Sequence, residues 1–518
     1  YINKADFVAF HNPSYVDKGF KMVNDVKPGG VFLINCQWSD EELEAHLNAE
    51  AKRYIANNNI QLYTVNAIDL AVKVGMGKRT NTILQSAFFA LAKVMPSEEA
   101  IQYMKDAATK SYSKKGQDIV DANHNAIDAG ATAFHKVDVP ASWADAADGA
   151  AAAKSEGAEK LVKMVDTILK PVGVMDGYSL PVSAFAEHAD GTFEHGASAY
   201  EKRGVAVLVP EWIPENCVQC NNCAFVCPHA AIRPFAMTEA EAKKAPKATK
   251  FAEKPVLKTD YKFTMAISPA DCMGCTLCVK ACPVTAKAIK DGTDKKALEM
   301  VPAVTQADQQ APWDYAVAKV SEKKELINTT VKGSQFKQPL LEFSGSCAGC
   351  AETSYARLIT QLFGERMYIS NATGCSSIWG GSAPSTPYTK NAEGKGPAWA
   401  NSLFEDNAEY GYGMFLGQEA IRNSYIAKVK DVAENGSNPA AVNAANNYLE
   451  TLNDGEANAV ATRELVEALT ACDCDKAKAI LKGKNYLAKK SVWAFGGDGW
   501  AYDIGFGGLD HVLASGRN

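Results

Sequence analysis

Short apolar runs alternate with stretches of helical periodicity through the first third of the chain. Residues 7–10, 31–35 and 61–65 have the continuous apolar character of buried strands. Between residues 38 and 57 the spacing predicts a helix, which a capping box begins: the side chains of Ser39 and Glu42 each accept the other's backbone N–H. The alternation predicts an open α/β domain with parallel strands.

The pattern changes further along the chain. Residues 141–168 have the composition of an alanine-rich helix, and a stretch punctuated by Gly and Pro follows at residues 171–204. Beyond a cysteine-rich region the α/β pattern returns, with strands predicted at residues 367–370 and 491–495. We therefore expect four parts, with the following bounds: an α/β domain over residues 1–161, a linker or small domain over 162–204, a cysteine-rich α+β domain over 205–320, and a second α/β domain over 321–518.

Most of the cysteines stand in two copies of one spacing, C-x2-C-x2-C-x3-C-P. The eight residues are Cys217, Cys220, Cys223, Cys227, Cys272, Cys275, Cys278 and Cys282. In this spacing three thiolates converge on one [4Fe–4S] cluster, and the cysteine before the proline reaches the neighbouring cluster. The sequence therefore predicts a ferredoxin-like domain with two clusters.

The predicted ligand sets cross between the two cysteine runs. Cys282 is expected to join Cys217, Cys220 and Cys223, while Cys227 is expected to join Cys272, Cys275 and Cys278. Paired zinc knuckles are the alternative, but zinc sites take four ligands locally and need no third cysteine ahead of a Cys-Pro pair.

A second group of chemistry-bearing residues lies in the last third of the chain. Cys347 and Cys350 stand in Ser-Cys-Ala-Gly-Cys-Ala-Glu, and Cys375 follows a predicted strand. Three cysteines are one short of a [4Fe–4S] cluster, so zinc or buried thiols remain alternatives here. Near the end, Gly496-Gly497-Asp498-Gly499 leads from a strand into a helix, where glycines admit a pyrophosphate and an aspartate suits Mg²⁺. Cys36, Cys472 and Cys474 lack partners at ligand spacing and are interpreted as structural.

Charge and hydropathy narrow the class of protein. The formal charge is −6, from 54 Lys and Arg against 60 Asp and Glu, which provides no basic field for nucleic acid. No apolar run of membrane-spanning length occurs, and the first thirty residues lack the order of a signal peptide. We expect a cytoplasmic protein without nucleic-acid or membrane partners.

The double Cys-Pro run, Ser-Cys-Ala-Gly-Cys-Ala-Glu, Asn-Ala-Thr-Gly-Cys-Ser and Phe-Gly-Gly-Asp-Gly-Trp-Ala-Tyr-Asp-Ile-Gly together resemble pyruvate:ferredoxin (flavodoxin) oxidoreductase. The chain resembles the middle and part of the carboxyl half of the long single-chain form. The resemblance implies the start of a thiamine-diphosphate domain over 321–518 and part of a coenzyme-A domain over 1–161. It further implies oxidation of pyruvate with coenzyme A to acetyl-CoA and CO₂, with ferredoxin or flavodoxin as electron acceptor, and a homodimer.

The same resemblance implies roles for particular residues. Cys347, Cys350 and Cys375 would hold a third cluster. Thiamine diphosphate and its Mg²⁺ would be contacted by Glu352, Cys375, Gly497, Asp498, Gly499, Trp500 and Ala501, with Asp498 on the metal. Lys78, Arg79 and Asn81, after a Gly-Met-Gly turn, are sensible coenzyme A contacts, although a plain helix-opening loop explains them equally.

Two other interpretations stay open on the sequence. The chain could be an iron–sulfur electron-transfer subunit without catalysis of its own, or its chemistry could act on another 2-oxoacid. The family's remaining ligands and an activating glutamate have no counterpart in these residues, so we expect this segment alone to be inactive.

Overall fold

The computed structural model describes residues 2–77, 79–149, 154–502 and 505–517. The chain divides into two compact units, Tyr1–Gly191 and Thr192–Asn518. The four-part division expected from the sequence is finer than this and stays a prediction.

The first unit is built on a four-stranded sheet. Its strands are β1 (Ala5–Phe10), β2 (Val26–Asn35), β3 (Gln61–Val65) and β4 (Phe134–Lys136), in that order across the sheet. β1, β2 and β3 are parallel to one another, and β4 pairs with β3 in the antiparallel sense. The predicted strands and their parallel pairing are therefore confirmed.

Helices cover both faces of this sheet. Phe32 and Ile34 pack into the hydrophobic core on one face, while Leu33, between them, packs with Val65 and Ile83 on the other. Successive side chains of a strand point to opposite faces, so a strand buried on both sides shows a continuous apolar run. This explains why residues 31–35 carry no polar alternation.

The helices of the first unit follow the predicted pattern with two corrections. The capping box at Ser39 is present, but Asn48 caps a second helix, so the predicted 38–57 helix is two helices. The helix predicted over 141–168 is wrong, because the described residues hold a short 3₁₀ turn at Ala141–Asp145 and the helix begins at Glu159. The α-helices are Ser14–Asp17, Asp40–His46, Ala49–Asn57, Ala67–Lys73, Asn81–Ala92, Ser97–Tyr112, Gln117–Gly130, Glu159–Met164 and Lys170–Gly173, with a π-helical turn at Val165–Leu169 joining the last two.

The cysteine-rich part of the second unit contains two antiparallel strand pairs. β5 (Leu208–Trp212) pairs with β8 (Leu298–Pro302), and β6 (Ile232–Met237) pairs with β7 (Lys262–Ile267). Each pair joins a strand before one cysteine run to a strand beyond the other, so the backbone hydrogen bonds hold the two runs side by side.

The rest of the second unit contains a three-stranded parallel sheet. Its central strand is β9 (Met367–Asn371), flanked by β10 (Ala398–Asn401) and β11 (Ser491–Phe495). Both strands predicted here are confirmed. Between β10 and β11 the chain forms helices that share a separate hydrophobic core.

The helices of the second unit are short near the cysteines and long between β10 and β11. None of the described helices is long and apolar enough to cross a membrane. The α-helices are Asn222–Phe225, Glu239–Lys244, Leu277–Ala281, Pro283–Lys290, Gln310–Lys319, Val331–Ser334, Ala351–Phe363, Cys375–Gly381, Asn407–Asn435, Pro439–Glu450, Gly455–Thr470, Asp475–Leu481, Asp498–Tyr502 and Leu509–Ala514.

A buried ion pair connects the cysteine-rich part to the segment leading to the parallel sheet. Arg233 on β6 pairs with Glu342, and the side chains of both are only 8% exposed. The guanidinium also lies over the rings of Trp313 and Phe343, 5.0 and 5.5 Å from their centroids. Removing one member of such a pair leaves a buried charge without compensation, whereas apolar replacement of both is often neutral.

We therefore predict that Arg233→Met lowers the free energy of unfolding of this unit by about 3–5 kcal/mol. The double variant Arg233→Met/Glu342→Leu is expected to lose clearly less. Urea denaturation followed by tryptophan fluorescence measures both, and equal losses in the single and double variants would contradict the interpretation.

Candidate metal centres

Four cysteines line a cavity beside β5. They are Cys217, Cys220 and Cys223 of the first run and Cys282 of the second. Gln219 and Asn221 adopt positive φ values of 56° and 63°, which turn the backbone around the cavity, and the N–H of Gln219 points to the Cys217 sulfur at 3.4 Å. The remaining wall is largely apolar, with Trp212, Val218, Met265, Val284, Ala297 and Leu298.

The second run builds a matching cavity. It is lined by Cys272, Cys275, Cys278 and, from the first run, Cys227. The loop repeats the first geometry: Gly274 and Thr276 have φ values of 65° and 71°, and the N–H of Gly274 points to the Cys272 sulfur at 3.4 Å. Each cavity thus gathers three cysteines of one run and the cysteine before proline of the other.

Burial makes Cys223, Cys272 and Cys278 poor acids unless a cation is bound. Desolvation raises the pKa of Cys272 to about 12 and raises the pKa values of Cys223 and Cys278 well above the ordinary value. A bound metal reverses this preference, because a coordinating thiol is deprotonated. The donor sets therefore fit a metal cluster and would be costly as bare thiolates.

A [4Fe–4S] cluster and a single zinc ion require different spacings between their ligands. Among residues 2–77, 79–149, 154–502 and 505–517, no three His, Cys, Asp or Glu side chains converge on one metal-ion position. Structural zinc needs four ligands around a single ion. A [4Fe–4S] cluster spreads its ligands over four iron atoms, so its thiolates stand further apart.

The third group of cysteines lies against the second cavity. Gly349, between Cys347 and Cys350, lies next to Cys275. A Cβ atom built on Gly349 would lie 3.5 Å from the Cβ atom of Cys275. His229, which lines that cavity, reaches the carbonyl oxygen of Ser344 through Nδ1 at 3.2 Å.

Two helices connect the third group to the parallel sheet. Cys350 immediately precedes Ala351–Phe363, and Cys375 begins Cys375–Gly381, directly beyond β9. The indole N–H of Trp379 in the second helix donates to Glu352 in the first at 3.1 Å. Cys347 and Cys375 are exposed and Cys350 is partly buried, so this group is more open than the two cavities.

The glycine-rich motif lies at the same sheet edge as Cys375. β9 and β11 are adjacent and parallel, and Asp498 follows β11 as the first residue of a short helix. Trp500 is 4% exposed and packs with Ala372, which follows β9. A Cβ atom on Gly496 would lie 2.3 Å from the Trp500 ring, so only glycine fits there.

This edge has the room and donors that a phosphorylated cofactor needs. Cβ atoms built on Gly374 and Gly497 would meet nothing within 4 Å. The buried indole nitrogen of Trp500 has no hydrogen-bond partner in the part of the chain that the structure describes. Gly499 and Ala501 lie in the same short helix as Asp498.

The expected coenzyme A contacts are not brought into a site by the structure. Lys78 lies outside the described residues. Arg79 and Asn81 are exposed, and Asn81 is the first residue of Asn81–Ala92. The coenzyme A assignment stays a prediction.

One arginine beside the centres was missed by the sequence analysis. Arg357 is 1% exposed, and its guanidinium donates to the carbonyl oxygen of Phe225 at 2.5 Å, to Gln335 at 3.1 Å and to Gln361 at 2.9 Å. Phe225 lies two residues before Cys227, so a fixed positive charge stands next to the second cavity. The polar residues on the buried face of Ala351–Phe363, where a core-packing helix carries apolar ones, were the available signal.

Known protein families match three segments of the chain. Family models match residues 1–133 (pyruvate ferredoxin/flavodoxin oxidoreductase), 150–206 (a domain of unknown function) and 216–286 (a 4Fe–4S dicluster domain). The chain is 47% identical over 520 residues to a pyruvate-flavodoxin oxidoreductase of Klebsiella pneumoniae and 46% identical over 531 residues to a pyruvate:ferredoxin oxidoreductase of Moorella thermoacetica. The resemblance to pyruvate:ferredoxin oxidoreductase is confirmed.

The similarity has a defined extent. Both alignments take in all of this chain but only 43% and 44% of these pyruvate oxidoreductases, so the chain spans less than half of their length. A mitochondrial pyruvate dehydrogenase (NADP+) of Euglena gracilis is 40% identical, with 28% of its length covered. A solved pyruvate oxidoreductase subunit of Thermotoga maritima, at 17% identity, covers 26% of this chain and 67% of its own with a TM-score of 0.22, too low for a structural argument.

The lining of the two cavities predicts which cluster each cysteine substitution disturbs. In the complete, cluster-loaded protein, we expect Cys227→Ala to disturb the same cluster as Cys275→Ala, because both residues line the second cavity. Cys220→Ala, in the first cavity, is expected to disturb the other cluster. Electron paramagnetic resonance of the reduced variants separates the two signals. If the spectrum of Cys227→Ala matches the spectrum of Cys220→Ala, Cys227 does not belong to the second cluster.

Proposed function

We propose that this chain is the electron-transferring and part of the thiamine-diphosphate-binding portion of a pyruvate:ferredoxin or pyruvate:flavodoxin oxidoreductase. The complete enzyme would oxidise pyruvate with coenzyme A to acetyl-CoA and CO₂ and pass electrons to ferredoxin or flavodoxin. The proposal is carried by the two cavities, each of which takes three cysteines from one run and the fourth from the other run. A third group of cysteines lies against one of these cavities.

Three [4Fe–4S] clusters are proposed. Cys217, Cys220, Cys223 and Cys282 would hold the first, and Cys227, Cys272, Cys275 and Cys278 the second. Cys347, Cys350 and Cys375 would contribute to a third, with its other ligand outside these residues. The close approach of Gly349 to Cys275 supports the second cluster as the neighbour of the third. Such clusters supply one-electron transfer.

Thiamine diphosphate with Mg²⁺ is proposed at the carboxyl ends of β9 and β11. Bound there, it supplies an electron sink for decarboxylation of a 2-oxoacid. Asp498 would hold the Mg²⁺, and Glu352, Cys375, Gly497, Gly499, Trp500 and Ala501 would contact the cofactor. The free space over Gly497 supports this site, as does the indole nitrogen of Trp500, which has no hydrogen-bond partner among the described residues. Ligands are also generally placed at strand carboxyl ends.

Substrate and acceptor are proposed from the relatives. The names of the three relatives all contain pyruvate, whereas their acceptors differ: flavodoxin, ferredoxin and NADP+. We therefore propose pyruvate as the substrate and ferredoxin or flavodoxin as the acceptor. The cytoplasmic location and the homodimer expected from the sequence belong to the same proposal. The division into coenzyme-A, linker, ferredoxin-like and thiamine-diphosphate domains belongs to the same proposal.

A second candidate function is an iron–sulfur electron carrier without catalysis, and the two differ in cofactor binding. In the complete protein we expect Asp498→Ala to weaken Mg²⁺-dependent binding of thiamine diphosphate by roughly tenfold or more, as metal-site substitutions do. Asp510→Ala, in the next helix and also exposed, is the matched control and should bind normally. Titration calorimetry measures both variants. If the unaltered protein binds no thiamine diphosphate, the carrier function is the correct one.

A further inference from the structure

Two cysteines outside the metal centres stand together in the helical segment between β10 and β11. Cys472 and Cys474 lie in the loop that joins Gly455–Thr470 to Asp475–Leu481. Their sulfur atoms are 3.1 Å apart, close enough for a hydrogen bond between thiols and short of a covalent bond. Both side chains are partly exposed, and the side chain of Asp473 between them is 92% exposed. A small oxidant in solvent can therefore reach the pair.

The surroundings give the two thiols different roles. The Cys472 thiol donates to the Cys474 sulfur, and the backbone N–H groups of Ala477 and Lys476 add to this, so the pKa of Cys474 lies below its ordinary value. The same interaction raises the pKa of Cys472. The thiolate is the nucleophilic form of cysteine, so Cys474 is the residue that reacts first.

The pair is also held in place by its neighbours. The N–H of Cys472 bonds to the carbonyl oxygen of Leu469, and the carbonyl oxygen of Cys474 accepts from Lys478, at 3.1 and 3.0 Å. Both cysteines pack against the hydrophobic core formed by these helices. The short separation therefore follows from two anchored loop ends.

We propose that Cys472 and Cys474 form a reversible oxidation site that reacts with peroxide to give an intramolecular disulfide. The Cys474 thiolate attacks one peroxide oxygen, the O–O bond breaks, and the released hydroxide takes a proton to become water. The Cys472 sulfur then attacks the resulting sulfenic acid, the S–O bond breaks, and the hydroxide leaves with the Cys472 proton as a second water. The two sulfurs lose two electrons, peroxide gains them, and a dithiol reductant restores the pair.

The test uses the complete, cluster-loaded protein and its own tryptic peptide. Residues 464–476, between Arg463 and the cleavage site at Lys476, carry both cysteines and no other. The protein is treated with hydrogen peroxide, quenched, alkylated in denaturant and digested. We expect this peptide to lack both alkyl groups and to be lighter by two hydrogen atoms than the reduced form. If dithiothreitol is added after the quench and removed before alkylation, the doubly alkylated peptide should return.

Cys36 is the matched control. It is 2% exposed, and burial raises its pKa to about 11, so it should remain reduced and alkylatable in the same sample. Peptides with both cysteines alkylated to the same extent as Cys36 after peroxide would overturn the proposal. A disulfide from either residue to a third cysteine would overturn it as well.

Single variants test the order of the two steps. In Cys472→Ser, the sulfenic acid on Cys474 has no partner and should be trapped by dimedone. In Cys474→Ser, trapping at Cys472 should be weaker, because the backbone N–H groups of Ala477 and Lys476 favour the thiolate at Cys474. Equal trapping at both residues would contradict the assigned nucleophile.

Discussion

The two cysteine cavities depend on one constraint: neither cysteine run supplies all four cysteines of its cavity. Three cysteines of each run line the cavity that the fourth cysteine of the other run completes. The antiparallel strand pairs meet this constraint, because each of them ties the start of one run to the end of the other. Since Cys223 and Cys278 are buried and burial raises their pKa values, a bound cluster would stabilise an arrangement that free thiolates would oppose.

A polar layer joins this cysteine-rich part to the parallel-sheet part of the same unit. Arg357 donates to the backbone beside Cys227, and Arg233 pairs with Glu342 over two aromatic rings. Charged side chains are costly to bury unless they are paired, so apolar packing alone does not account for this layer. Glu342 and Arg357 flank in sequence the loop that holds Gly349, and a Cβ atom built on Gly349 would lie 3.5 Å from the Cβ atom of Cys275.

Local signals in the sequence predicted what local interactions decide. The Ser39–Glu42 capping box joins residues three positions apart, and the strands at residues 61–65 and 491–495 are visible as short apolar runs. Each of the three is confirmed. The spacing of the cysteines also predicted which residues share a cavity, since the Cys-Pro pair marks the exchanged residue. The 141–168 helix failed because alanine content measures helix propensity without saying what an apolar face packs against.

The features that the sequence did not predict leave no mark in the spacing of apolar residues or of ligand motifs. Asn48 divides the predicted 38–57 helix because its side chain caps a new helix by accepting the N–H of Ala51, a competition that apolar spacing does not record. Arg357 and Phe225 are 132 positions apart, so nothing in either segment announces their hydrogen bond. The Cys472–Cys474 pair lacks the spacing of a cluster ligand set, and its chemistry becomes visible only through the sulfur separation.

The helices between β10 and β11 form a long connection within the parallel sheet. Parallel neighbours need a crossover connection, and the length of that connection is free as long as it returns the next strand to the sheet. Here the connection buries its own apolar core, with Tyr448, Leu465 and Ile480 among its members. The first helix of the connection also packs on the sheet, where the Asn407 side chain donates to the carbonyl oxygen of Phe495 at 3.1 Å. β11 pairs with β9 in register from Ser491 to Phe495. Because β9 and β11 pair in register, the residues that follow the two strands lie at the same edge of the sheet. Ala372 and Trp500 therefore pack together although the helical connection lies between them in sequence.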